Sequence, residues 1–181
     1  VSADIAPAGA TDLHLTTGST VTATAGGVAV TGLAIEAGGT VNFTAASTNV
    51  ATVAVSSPGN TVTFTEADGF AIGTVDGVPG INVGASTLTL NAGGAVTQTA
   101  AITAAGLELL GTGPYTLTLA TNDVDTLAAN TGDAVSFRDA DDLTVGAVTT
   151  VGLTTSNDNV SLQTGGPLAI NQPVALGPGA L

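Results

Sequence analysis

The residues of this chain best equipped for chemistry are its single histidine, His14, and a cluster of aspartates, Asp139, Asp141 and Asp142. A Ser-His-Asp relay would have to use His14. It sits in Leu13-His14-Leu15, where strand alternation turns it away from two core leucines and into solvent. The aspartates could supply the paired carboxylates of glycoside hydrolysis. Solenoid enzymes acting on polysaccharides use carboxylates along one face, but they also carry aromatic platforms and basic residues. Apart from four phenylalanines, Tyr115 and Arg138 are all this chain offers of either kind for a sugar. The reading is therefore not an enzyme, with no catalytic residue assigned.

Hard oxygen ligands suit calcium. Asp139, Asp141 and Asp142, with Glu66 and Asp68 one repeat away, are the candidates. Neither a glycine-rich nonapeptide calcium repeat nor an EF-hand loop is present, and Arg138 stands ready to pair with Asp139. A solvated acidic turn is the plainer expectation, with no cofactor required. Threonines alternate in Thr20/Thr22/Thr24, Thr61/Thr63/Thr65 and Thr116/Thr118. Such ladders can order water at ice, but Val, Asn, Asp and Ala intervene along the sequence, and strand propensity accounts for the threonines.

These residues must be held by an unusual composition. Of 181 residues, 8% are charged and 3% aromatic, against 44% hydrophobic. That apolar content separates the chain from disordered Gly/Ser-rich sequences. Fourteen acids face one arginine, giving a formal charge of −13. A surface so poor in cations cannot neutralise phosphates, which argues against nucleic acid and anionic membranes as partners. With no cysteine, disulfide frameworks and thiolate zinc sites are excluded. Apolar runs fall short of a bilayer span, and no secretory leader is visible at Val1, so the chain reads as a mature product or a segment of a longer one.

The elements come from an internal repeat. Thr61-Val62-Thr63-Phe64-Thr65-Glu66-Ala67-Asp68 returns as Ala134-Val135-Ser136-Phe137-Arg138-Asp139-Ala140-Asp141, an offset of 73 (137 − 64). Val50-Ala51-Thr52-Val53-Ala54 returns as Val124-Asp125-Thr126-Leu127-Ala128 at 74 (124 − 50), and Leu88-Thr89-Leu90 as Val160-Ser161-Leu162 at 72 (160 − 88). A partial copy thus occupies 1–31, followed by copies at 32–105 and 106–181. Nearly every segment alternates apolar with small or hydroxyl residues and closes at Gly, Asn, Asp or Pro, the pattern of short strands joined by turns. Even Ala100–Leu110 and Val124–Asn130 lack a helical stripe. A long repeat that tolerates insertions favours a solenoid over a closed barrel. The predicted fold is a right-handed parallel β-helix of eight or nine coils, three or so per repeat.

One resemblance becomes specific in the second copy. Ile102-Thr103-Ala104-Ala105-Gly106-Leu107-Glu108-Leu109-Leu110-Gly111-Thr112-Gly113, Asn122-Asp123-Val124, Leu127-Ala128-Ala129-Asn130-Thr131 and Gly152-Leu153-Thr154-Thr155 resemble repeats of filamentous-haemagglutinin-like, two-partner-secretion adhesins and autotransporter passengers. The resemblance implies a β-helical shaft at the bacterial cell surface, without an active-site motif to transfer. The expected role is a structural stalk or fibre segment serving adhesion or matrix formation. Its expected partners are neighbouring repeats or further copies stacked end to end, and a cell-surface or glycan receptor. A polysaccharide enzyme or an ice binder on the same scaffold are the lesser alternatives.

Overall fold

A computed structural model describes Ile5 and residues 12–156 and 158–177. Among the described residues there is no helix, and hence none long and apolar enough to cross a membrane. The chain is a β-solenoid. Every strand pairing between coils is parallel, and a backbone column can be followed from coil to coil. Val21, Val41, Val62, Leu88, Leu107, Leu127, Val145 and Ile170 stack in register and mark eight coils. Beside them run Ala23, Phe43, Phe64, Leu90, Leu109, Ala129, Leu153 and Val174. At a strand spacing of roughly 4.8 Å, eight coils make a rod about 40 Å long.

The two columns explain the sequence pattern. In the strand Val62–Glu66, Val62 and Phe64 point inward and are fully buried, while Thr63 and Thr65 face outward. Phe64 stacks on Phe43, with ring centroids 6.2 Å apart, and meets Phe70 edge-on at 5.1 Å. Tyr115 is buried too, and its hydroxyl donates to the Leu110 carbonyl at 2.6 Å, satisfying its polar tip. The segments without a helical stripe are indeed strands, Ile102–Gly111 and Asp123–Thr131.

Coil lengths vary because two segments are inserted. The coil from Leu127 to Val145 is short, whereas the coil from Val62 to Leu88 is drawn out by the hairpin of Thr74–Val75 and Val78–Pro79. A later coil contains the loop 146–152. Both insertions pinch at a glycine pair: the Gly80 amide donates to the Gly73 carbonyl, and the Gly152 amide to the Gly146 carbonyl, each at 2.8 Å. Gly80 (φ +62°) and Gly152 (φ +74°) are left-handed, and a Cβ on either would come within 2.0 or 2.1 Å of a carbonyl oxygen in the next coil. Only glycine fits both constraints.

The sequence repeat does not span whole coils. Val53 pairs with Ile72, the strand Phe70–Ile72 pairs with Val96–Gln98, and that strand pairs with Tyr115–Leu117. Three coils above Val53 therefore lies Leu117, but its sequence counterpart is Leu127, half a coil further along the chain. With coils of roughly twenty residues, each copy winds three and a half coils, and the second copy is turned half a coil from the first. The insertions consequently leave from different walls.

Candidate functional site

Each insertion folds back over the outward positions of the coils before it. On one wall the outward column is His14, Ala34 and Ala54, and the hairpin fills its place in the fourth coil, between Ile72 and Ile81. Val75 and Val78 pack on Ala34 and Ala54, all four buried. The hairpin turn is Asp76-Gly77, with φ of 47° and 83°, the positive values a two-residue type I′ turn requires. That turn brings Asp76 to His14. His14 Nδ1 lies 2.6 Å from Asp76 Oδ2, and Nε2 lies 3.0 Å from Glu36 Oε2.

Strand alternation sends His14 outward as expected, where its side chain is 27% exposed, but two carboxylates flank it rather than open water. The hydrogen bond to Asp76 raises the imidazole pKa, with help from Glu36, against a smaller desolvation effect. These are the only ion pairs among the described residues. Among the described residues, both ring nitrogens are bonded to carboxylates. The cluster therefore works as a latch fastening the hairpin to the first two coils. The Asp-Gly dipeptide between valines was the sequence signal for it.

On the other wall the corresponding column is Thr89, Glu108 and Ala128, and the loop 146–152 takes the next position. Here the acid belongs to the wall. Buried Glu108 accepts the Thr150 amide at 2.8 Å through Oε1, and Thr89 Oγ1 lies 3.4 Å from Oε2.

The remaining acids divide into buried and exposed. Glu66 and Asp139, equivalent positions of the two copies, are 2% and 1% exposed. Glu66 Oε2 accepts the Val50 amide at 3.1 Å; Asp139 Oδ1 accepts that of Val124, the counterpart of Val50, at 3.0 Å. Each carboxylate thus staples a coil corner. Burial raises Glu66 to about 7, against the Val50 amide and with a contribution from the Asp68 charge. Burial likewise raises Asp139 to about 6, against the amides of Asp141 and Val124. Beside Asp139, Asn122 is fully buried. It accepts from Gln98 (2.8 Å) and the Ile102 amide (3.0 Å), and donates to Gln98 (2.9 Å) and to the Arg138 (2.9 Å) and Leu117 (3.3 Å) carbonyls.

These contacts correct one expectation. Arg138 does not pair with Asp139: alternation sends Arg138 outward, while Asp139 turns inward and its second oxygen accepts the Asp141 amide at 3.2 Å. The calcium candidates are accordingly split, with Asp139 buried at the corner and Asp141 and Asp142 exposed. Among the described residues, no three His, Asp or Glu side chains converge as a metal site would require.

The threonine ladders turn out differently from their appearance along the sequence. Coil stacking places Thr20-Val21-Thr22-Ala23-Thr24, Thr40-Val41-Asn42-Phe43-Thr44, Thr61-Val62-Thr63-Phe64-Thr65 and Thr87-Leu88-Thr89-Leu90-Asn91 side by side. The intervening apolar residues point inward. What faces outward is a grid, three residues wide and four coils long, of ten threonines and two asparagines. No charged residue interrupts it. It ends at the fifth coil, where the 146–152 loop covers Glu108. No family model, curated protein or solved structure matches this chain.

Proposed function

We propose that the chain is an extracellular structural segment, the shaft of a bacterial surface adhesin or fibre, working without catalysis. The observation that carries this reading is the uninterrupted parallel stack of eight coils, whose inward columns run the length of the rod. Leu168, Ile170 and Val174 are 41%, 60% and 38% exposed. The counterparts of Leu168 and Val174 in the preceding copy, Val96 and Ile102, are fully buried beneath the following coil. The same interior side chains thus lack the layer that covers them one copy earlier. Another coil would supply it, with parallel backbone hydrogen bonds on an open edge.

That coil could come from more chain, as in a longer shaft, or from a second copy stacked end to end, as in a filament. Negative-stain imaging of the purified chain across concentrations separates them. Single rods of about 40 Å at every concentration are expected of the shaft; fibres that lengthen with concentration, and are lost in Ile170→Asp, are expected of the filament. Labelling intact producing cells with an antibody to the chain tests the address. Decorated surfaces are expected, and label confined to the cell interior would sink the surface reading.

A further inference from the structure

We propose that the grid on coils one to four binds a crystal plane of ice. This goes beyond the shaft reading and does not rest on it. Three observations carry it, beginning with spacing. Parallel coils set neighbouring rows roughly 4.7–4.9 Å apart, and alternate residues along a strand are roughly 6.6–6.8 Å apart. The row spacing lies near an oxygen repeat in the planes of hexagonal ice, and the wider spacing sets the second side of the mesh. One surface therefore offers hydroxyls and methyls on a mesh that a water lattice can meet at many points together.

The second observation is rigidity. Threonine is β-branched and has few χ1 wells, so its hydroxyl is already placed. Beneath the grid, Phe43, Phe64, Leu88 and Leu90 are fully buried and hold the backbone from inside. A surface that is ordered before contact loses little entropy when it orders water, and water bridging two fixed groups is nearly as favourable as a direct bond. At the last row, Thr89 sits beside the Glu108 that anchors the covering loop, so the grid has a defined edge.

The third observation is an internal comparison. The second copy builds an equivalent wall half a coil away, in which Thr97, Thr116, Ser136 and Ser161 stack in register. Its flanking positions have become Ala95, Pro114, Ala134 and Asn159 on one side, and Arg138 and Gln163 appear on the other. The same strands, with the same demand for β-formers, keep four threonines of twelve on that wall and ten of twelve on the first. Strand propensity acts equally on both and cannot produce the difference. The grid is also neutral on a molecule of formal charge −13, which suits an uncharged lattice better than a cationic partner.

The test freezes a dilute solution of the whole chain slowly onto a cold probe and compares the protein in the ice with that left in the liquid. Two variants place a bulky side chain at the centre of each wall: Thr63→Tyr on the grid and Thr116→Tyr on its counterpart. Both positions face outward on strands that tolerate tyrosine, and thermal melts establish that each variant is folded. Uptake of the wild type and of Thr116→Tyr into ice, with loss of uptake in Thr63→Tyr to the level of a non-binding protein, is the expected result. Exclusion of the wild type overturns the proposal, as does equal uptake by all three or loss in both variants.

Discussion

Phe64→Ala is expected to destabilise the chain by about 3–5 kcal/mol, the range for removing a buried phenylalanine. Phe64 is fully buried, with Phe43 stacked below it and Phe70 against its edge. The size depends on whether the cavity can collapse, and here it cannot easily do so. The coils above and below are held at a fixed spacing by backbone bonds along Val41–Phe43 and Ile81–Ala92, so neighbouring side chains cannot close the gap by moving the walls. The repeat supplies its own control. Phe137 occupies the equivalent place, but the coil above it presents Leu162, which is only partly buried near the open end. Phe137→Ala should therefore cost less. Urea unfolding measures both, and a Phe137→Ala loss equal to or larger than that of Phe64→Ala would contradict the layered core.

Glu66→Gln is expected to stabilise the protein at pH 8 and to leave it nearly unchanged at pH 4. Folding raises the Glu66 pKa from an ordinary 4.5 to about 7. Between those values the folded state holds more protons than the unfolded one, so this group's contribution is full below pH 4.5, falls as pH rises, and reaches its floor above 7. At about 1.4 kcal/mol per unit, the span is on the order of 3 kcal/mol. Asp139 acts in the same direction between 3.8 and about 6. Glutamine keeps an acceptor for the Val50 amide and removes the charge that burial penalises. Comparing wild type and variant at each pH cancels the general repulsion of a −13 molecule. Melting curves at pH 4 and 8 decide the matter: a variant weaker than wild type at pH 8 would show that the ionised carboxylate is needed at the corner.

Much of this architecture was legible because alternation and repetition are local signals. Val62-Thr63-Phe64-Thr65-Glu66 names its inward residues without a structure, and it also places Glu66 on the inward side, although the adjoining Ala67-Asp68 suggests an exposed turn. The half-coil turn between copies was not legible. The repeat length mixes short coils with two insertions, and successive coils share little beyond alternation. The grid was hidden for the same reason. Thr63 pairs with Thr89 across the long coil that holds the hairpin, while Thr22 pairs with Asn42 across a shorter one, so no single spacing along the chain reveals the rows. Reading along the chain, valines and phenylalanines separate the threonines; reading across coils, those residues are inside.

The register that joins Thr63 to Thr89 past the inserted hairpin underlies the whole description, and it can be tested chemically because the chain has no cysteine. Thr63→Cys with Thr89→Cys sets two outward side chains on adjacent strands roughly 4.8 Å apart, within disulfide reach. Thr63→Cys with Asn91→Cys is offset along the strand, at roughly 8 Å, and out of reach. Under mild oxidation the first pair should close within one chain while the second stays reduced. Closure of the second pair but not the first would contradict the coil register, and with it the grid and the stacked core.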